Sequence, residues 1–410
     1  MRKAKIVQIN AVYGEKSTGL IVRDLEELLQ DMGESSFVVY NDARIAPANG
    51  ICIKNRIGQK YHAFRSRVDG KQSYSSRFST LALIKKLEII KPDILHLHNI
   101  HSNFLNLPTL IKYAKKNRIA VLLTLHDCWF FTGKCYHFAD IGCEKWKTEC
   151  NNCPKRYTDI PSRLRDSSRQ VFRGRCRLFN YDRLYVVGCS SWITEMARQS
   201  PILKKAKFST IYNGIDTDIF SPIDEKEENQ PFTVVTMANK WFETENEEVR
   251  SRVLQFLEGS GRLIIIGCSE KNQQLYVGDN RVQAIGYVRD RKELAATYAK
   301  GNAFLNLTHI DNLPTVNMEA ASCGIPVITY DVGGSGELVK DSFTGYKVKV
   351  DDVDGIITAL DRVRQGNISK KNCRNYATSH FDKKNNYKKY MTLYQDIVNE
   401  MEDTINEPSI

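Results

Sequence analysis

At 410 residues the chain exceeds what one hydrophobic core usually serves, so two domains of about 200 residues each are expected. A hydrophobic fraction of 42% can fill two cores and excludes an extended disordered chain. The net charge of +11 is unevenly spread: residues 1–210 hold 36 Lys and Arg against 18 acids, or +18, and the remainder holds 23 against 30, or −7. The first half therefore seeks an anionic partner, whether nucleic acid, a phosphate-bearing substrate or an anionic membrane surface.

Met1 to Lys5 runs straight into the strand-like Ile6 to Ile9, with no apolar stretch of signal length and nowhere a run long enough to span a bilayer. A cytoplasmic protein with at most peripheral membrane contact is expected. Its 11 cysteines then read as thiols or metal ligands rather than disulfides. Residues 4–10 look like a buried strand. A polar turn with Gly14, Ser17, Thr18 and Gly19 leads into a helix from about Leu20 to Met32, a geometry that lets a phosphate or sugar approach backbone. The spacing is not GxGxxG, so a dinucleotide fingerprint is not supported. Strands at Phe37 to Tyr40, Asp93 to His98 and Ile119 to Leu125 alternate with helices, which predicts a doubly wound parallel sheet with ligands off the carboxyl ends of its strands.

Two of those ends carry histidines: His96, His98 and His101 at one, His126-Asp127 at the next. A lone histidine is more often structural, but a His-Asp pair directly after an apolar strand stands where side chain meets ligand. An insertion from Cys128 to Pro154 follows. Cys135, Cys143, Cys150 and Cys153 are separated by seven, six and two residues, and Cys150-Asn-Asn-Cys153-Pro154 is knuckle-like. Four thiolates can close a structural zinc site with no open position for catalysis; plain reduced thiols are the alternative. Arg163, Arg165, Arg169, Arg173, Arg175, Arg177 and Arg183 lie in one predicted helical region and make the first candidate for an anion-facing patch.

Leu184 to Cys189 reads as a strand, and Ser190 caps a short helix. The acidic, proline-punctuated run Pro222 to Pro231 reads as an exposed linker. Phe232 to Ala238 is a buried strand whose end presents Asn239, Lys240 and Trp241; a lysine there either neutralises a phosphate or is an ordinary surface lysine. The run Asp311 to Glu337 packs a polar loop, a short helix, a strand and a glycine-rich loop together. Thr315 is its expected N-cap and Gly324 its expected stop; the first amides of the helix are either an anion site flanked by Asp311 and Glu319 or the start of an ordinary αβ unit whose acids are a solvated cap pair. Helices continue to about Glu402, with a frayed tail beyond.

The run Asp311 to Glu337 resembles the donor-site motif of retaining, nucleotide-sugar-dependent glycosyltransferases of the GT-B fold. Tyr212-Asn-Gly-Ile-Asp216, Ser190-Ser-Trp192 and Lys16-Ser-Thr-Gly19 are similar to that family too. Thr124-Leu-His-Asp-Cys-Trp129 with the cysteine insertion resembles a bacterial envelope-polysaccharide subgroup. The resemblance implies an α/β chain of two facing Rossmann-like domains: an acceptor domain at 1–210, a donor domain at 211–380, and a helix at 381–410 returning to the first. It implies that Glu319 holds the nucleotide ribose, that Asp311 stands where a glutamate is usual and positions the donor sugar, and that His126 contacts the transferred sugar. Asn312, Leu313, Pro314, Thr315 and Val316 would bind the diphosphate, with Ser17, Thr18, Gly19, Asn213, Asn239 and Lys240 as further substrate-binding residues. The family's second phosphate clamp is missing, because the stretch after Lys240 is acidic.

The expected activity is hexose transfer, with retention and without a catalytic metal, from a nucleoside diphosphate sugar to a lipid-linked saccharide at the inner face of the cytoplasmic membrane, with no nucleic acid involved. Two other classes compete: another GT-B enzyme such as a nucleotide-sugar epimerase, or a silent sugar-binding relative; and, more remotely, a zinc-knuckle nucleic-acid-binding protein.

Overall fold

The computed structural model describes residues 3–223 and 230–406. Most of the acidic Pro222 to Pro231 run and the end of the tail lie outside them. The chain divides into two compact units, residues 1–211 with 387–410 and residues 212–386.

The first unit is built on a seven-stranded sheet: β1 (Lys5–Ile9), β2 (Ser35–Tyr40), β3 (Gly50–Cys52), β4 (Ile94–Leu97), β5 (Ala120–Leu125), β6 (Leu184–Gly188) and β7 (Lys207–Thr210). Every pairing is parallel, in the order β3-β2-β1-β4-β5-β6-β7. Residues of β4, β5 and β6 are buried throughout, as strands covered on both faces must be. Around the sheet run α1 (Lys16–Asp31), α2 (Arg56–Asp69), α3 (Arg77–Ile90), α4 (Leu107–Lys116), α5 (Ser168–Leu178) and α6 (Ser191–Arg198).

The second unit has a six-stranded parallel sheet: β8 (Phe232–Met237), β9 (Gly261–Ile266), β10 (Val282–Ile285), β11 (Ala303–Asn306), β12 (Val327–Tyr330) and β13 (Gly345–Val348), ordered β10-β9-β8-β11-β12-β13. Its helices are α7 (Ala238–Trp241), α8 (Glu247–Phe256), α9 (Glu270–Gln274), α10 (Arg291–Ala299), α11 (Thr315–Ser322), α12 (Val353–Arg364) and α13 (Lys370–Phe381). α14 (Lys383–Asn406) begins here, and from Tyr387 onward belongs to the first unit, where Tyr387, Tyr390, Tyr394, Ile397 and Val398 join the core with Ile6, Leu25 and Leu122. Among the described residues no helix is long and apolar enough to cross a membrane.

Strand order reverses once in each sheet, beside β1 and β4 in the first and beside β8 and β11 in the second. At such a switch point the loops leaving the carboxyl ends diverge and leave room for a ligand. The first pair of loops is stitched by Ala11 N donating to Asn99 O at 3.0 Å and Asn99 N to Asn10 Oδ1 at 3.0 Å. Asn246 ties the second pair, its Nδ2 reaching Lys240 O at 2.9 Å and Leu307 O at 3.2 Å.

Three expectations are corrected. Ser17, Thr18 and Gly19 lie not in a turn but in the first turn of α1. Gly19 is kept small there because a side-chain Cβ would stand 3.0 Å from Val12 O, and Gly14 N donates to Gly19 O at 2.9 Å. The arginines do not form one patch. α5 carries only Arg169, Arg173, Arg175 and Arg177; Arg169 and Arg173 both close on Glu149, and Arg175 is buried.

The third concerns the cysteines. Cys135, Cys143, Cys150 and Cys153 line one small cavity, yet among the described residues no group of three or more His, Cys, Asp or Glu side chains is arranged to hold a metal, so the expected zinc is not supported. Burial pushes the Cys135 and Cys150 thiols up to about 12, which keeps them protonated as placed. The insertion is held in other ways. Trp146 packs 4.5 Å from Phe138 and 5.4 Å from Phe131, ring centre to ring centre. Lys134 Nζ donates to Ser162 Oγ at 2.8 Å and to Arg156 O at 3.0 Å. The Arg175 guanidinium stacks 3.7 Å from the Trp129 ring centre and donates to Trp129 O and, at 2.7 Å, to Thr132 O.

Arg175→Met strands two buried carbonyls while keeping the volume. The expected cost is about 2–3 kcal/mol, read as a lower denaturant midpoint at unchanged slope; an unshifted midpoint would show that Arg175 is not an organiser of the insertion.

Candidate functional site

In the second unit the chain leaves β11 through Leu307 to Pro314 and enters α11. The turn is fixed locally: Thr308 N donates to Asn306 Oδ1 at 3.2 Å, Thr308 Oγ1 to Ile310 O at 3.0 Å, and Leu313 N to Asp311 Oδ1 at 3.0 Å. The Asp311 carbonyl oxygen accepts from Gly334 N at 3.0 Å, and a Cβ at Gly333 would collide with that same oxygen. Gly333, at φ +55°, is thus required twice over, by its backbone angle and by the close approach. The glycine-rich loop and the acidic loop form one surface.

α11 begins at Thr315, and the residue before it is Pro314, so Thr315 is not the N-cap. Proline has no capping side chain, and no side-chain cap hydrogen bond is made there. Helix starts of this kind direct amides and positive dipole outward. Gly324, at φ +78°, ends the helix as expected. Asn312, Leu313 and Pro314 are buried, Thr315 and Val316 half-buried.

Glu319 lies one turn into α11. Tyr298 OH, from α10, stands 3.3 Å from Glu319 Oε2 and 3.7 Å from Met237 Sδ at the end of β8. Burial pushes the Glu319 carboxyl up to about 7, although the Arg291 guanidinium and the Tyr298 hydrogen bond pull the other way. Arg291 opens α10, lies 5.1 Å from the Phe220 ring centre, and also acts on Asp216. Neither Arg291 nor Tyr298 stands out in the sequence as a site residue. Their one signal is position, in the helix that joins β10 to β11.

Lys240, in α7 directly after β8, pairs with Glu243 at 2.8 Å, and Asn239 beside it is exposed. The acidic stretch after it has structural work: Glu247 and Glu248 occupy the first turn of α8, where they complement the helix dipole, and Arg250 donates to Trp241 O at 2.9 Å and Glu243 O at 2.7 Å. Asn213 is buried in the loop entering this unit, next to Tyr212, whose hydroxyl donates to Glu337 Oε2 at 2.7 Å.

In the first unit the histidines separate into two kinds. His96 is structural: its Nδ1 lies 2.7 Å from Tyr394 OH and its Nε2 2.7 Å from Thr124 Oγ1. His126 and Asp127 leave the end of β5. His101 Nε2 lies 2.8 Å from Asp127 Oδ2, and Asp127 Oδ1 accepts from Trp129 N at 2.9 Å. Burial raises Asp127, but His101 and these hydrogen bonds outweigh it and hold its carboxyl below the usual range. Burial pushes His126 down to about 4, so it is neutral at physiological pH.

His98 Nδ1 is 3.1 Å from His126 Nε2, and His98 Nε2 is buried without a partner among the described residues. A buried orphan acceptor costs less than an orphan N–H. The proton therefore belongs on His98 Nδ1, donated to His126 Nε2, which leaves His126 with its own proton on Nδ1.

Ionising Glu319 in the fold costs stability. Its folded pKa of about 7 lies above the ordinary 4.5, so the cost is absent well below pH 4.5, grows between pH 4.5 and 7 and is fully present above it. Glu319→Gln is expected to raise the melting temperature above wild type at pH 8 and to approach it at a pH well below 4.5; equal melting at both pH values would contradict the desolvated carboxylate.

A family model described as Glycosyltransferase Family 4 matches residues 19–219, and one described as Glycosyl transferases group 1 matches residues 253–380. The WcaC protein of Escherichia coli (strain K12), named for a glycosyl transferase of colanic acid biosynthesis, is 26% identical over 266 residues, 61% of this chain and 63% of WcaC. The UDP-Gal:alpha-D-GlcNAc-diphosphoundecaprenol alpha-1,3-galactosyltransferase of Escherichia coli is 27% identical over 47% of this chain and 55% of its own length. The matched stretches thus span less than two thirds of either relative. Among solved structures, a glycosyltransferase from Rickettsia africae superposes with a TM-score of 0.66 at 13% identity, covering 97% of this chain and 99% of the other. The Anabaena HepE complex with UDP gives 0.63 at 13%, covering 96% and 100%. The paired Rossmann-like units are the GT-B fold, and the chain belongs to the group 1 glycosyltransferases.

Proposed function

We propose that the chain transfers a hexose from a nucleoside diphosphate sugar to a hydroxyl of a lipid-linked precursor in envelope polysaccharide assembly, with the anomeric configuration retained. The observation that carries this is the second unit's carboxyl edge, where a helix start without a side-chain cap lies between two acids, Asp311 before it and Glu319 one turn inside it. The amides of Thr315 and Val316 suit a diphosphate, and a recessed carboxylate at Glu319 suits paired ribose hydroxyls, which solvate the charge that burial disfavours. Asp311, locked by Leu313 N and Gly334 N, is disposed to accept from sugar hydroxyls.

Lys240 supplies a point charge for the leaving diphosphate. Its bond to Glu243 is a partly exposed i,i+3 pair, worth at most about 1 kcal/mol, so exchange for a phosphate is inexpensive. No dedicated catalytic metal is needed in this reading, because the helix N-terminus and Lys240 carry the charge that develops in the transition state. The departing phosphate oxygen takes the acceptor's proton on the same face. On the first unit, His126 is the proposed contact of the transferred sugar. The name of one relative supports the acceptor class, since it gives a diphosphoundecaprenol substrate, and a lipid acceptor of that class suits work at the inner face of the cytoplasmic membrane.

The test is a thermal-shift screen of UDP- and GDP-sugars, followed by product analysis with lipid-linked acceptors. A donor at a hundredfold its Kd stabilises by about 2.7 kcal/mol. The shift is expected to vanish in Glu319→Ala and to persist in His126→Ala, while transfer falls at least ~100-fold in Asp311→Ala. Equal shifts in wild type and Glu319→Ala would overturn the ribose assignment, and an inverted product anomer the retention. Epimerised donor without transfer would move the chain to the epimerase class.

A further inference from the structure

α2 is built inside out. Its inward face is polar: His62, Ser66 and Asp69 are its buried residues. His62 Nε2 accepts from Ser73 N at 3.0 Å, His62 Nδ1 lies 2.8 Å from Ser76 Oγ, and Ser66 Oγ lies 2.7 Å from Asn103 Oδ1. Its outward face carries an apolar stripe between the exposed Arg56, Lys60, Arg65 and Arg67. Ile57, Tyr61 and Phe64, spaced four and three residues apart and so on one stripe, are 84%, 60% and 63% exposed. The next helix buries Leu83 and Leu87 in the ordinary way and still leaves Phe78 88% and Ile89 82% exposed. Isolated apolar residues on a surface need no explanation, but a helix that turns its aromatic stripe to water and its polar stripe to the core does.

Charge says what covers it. From Lys54 to Lys91 the chain holds ten Lys and Arg against two acids, Asp69 and Glu88, and Asp69 is turned inward. A second copy of the same face would oppose like charges, which disfavours self-association. An aliphatic and aromatic stripe flanked by long basic side chains matches the boundary of an anionic bilayer, where the stripe enters the acyl region and the cations stay at the headgroups.

We propose that the outer face of α2 is an insertion surface for an anionic lipid bilayer. It deepens the functional reading and rests on it only for the reason such a surface is useful: a lipid-linked acceptor resides there. It replaces the Arg163 to Arg183 run as the anion-facing element, since Arg169, Arg173, Arg175 and Arg183 are engaged within the protein.

The experiment is flotation of the full chain with phosphatidylcholine vesicles, with and without phosphatidylglycerol, across a salt series. Wild type is expected to bind only the anionic vesicles and to be released by salt. The triple variant Ile57→Ser, Tyr61→Ser, Phe64→Ser is expected to lose at least ~tenfold in binding, and Arg56→Gln with Lys60→Gln to lose roughly tenfold with a shallower salt dependence. The proposal is overturned if wild type ignores anionic vesicles or if the triple variant binds like wild type. It is equally overturned if wild type is a dimer that the variant converts to monomer, or if the stripe instead retains RNA at physiological salt. The nucleotide-sugar thermal shift of the same variant certifies its folding. Absence of that shift from wild type and variant alike counts against the functional reading, while the vesicle result is read separately.

Discussion

A parallel sheet covered on both faces offers few places to put chemistry. Its strands are largely apolar, as Ala120 to Leu125 and Ala303 to Asn306 are, and a polar strand residue such as His96 is used up by buried partners, so side chains that can meet a ligand are delivered where the backbone leaves the sheet. Both units obey this. His126 and Asp127 stand one and two residues beyond β5, Lys240 three residues beyond β8, and Asp311 in the loop that follows β11. The strand-order reversal then decides which of these ends diverge far enough to admit a ligand.

The polar groups so delivered are expensive, and each is supported by a second layer. Glu319 is flanked by Tyr298 and acted on by Arg291, His126 is oriented by His98, and Asp127 is held by His101 and a backbone amide. In the insertion the same logic serves structure alone: Arg175 and Lys134 enter the interior as charged donors and satisfy carbonyls that no regular element pairs. Desolvation without full compensation is plainest at Glu319, whose carboxyl stays raised to about 7 despite Arg291 and the Tyr298 hydroxyl.

Strands, the alternation with helices, the histidine pair and the acidic loop are legible in the sequence because each is a local pattern: an apolar run, a turn residue, a spacing. What cannot be read there depends on distance or direction. Tyr298 reaches Glu319 across 21 residues, and Arg175 reaches Trp129 across 46. Thr315 resembles a cap because its type favours that role, whereas Pro314 already occupies the place. The arginine run resembles one surface because composition does not say which members turn inward. α2 is the sharpest case. Periodicity shows that a helix has two faces and is silent on which one meets the core.

The His96 contact with Tyr394 spans 298 positions of sequence, and the Thr124 contact with Tyr390 spans 266. Residues from both ends of that interval share one buried cluster, while all of the second unit lies between them. A chain made from its amino end therefore has all seven strands of the first sheet but leaves the cluster over Ile6 and Leu122 uncovered until α14 has emerged, by which time the second unit has had its whole sequence available to fold. Synthesis order and domain order are reversed: the unit begun first is completed last, and its apolar surface is the one that a chaperone would meet.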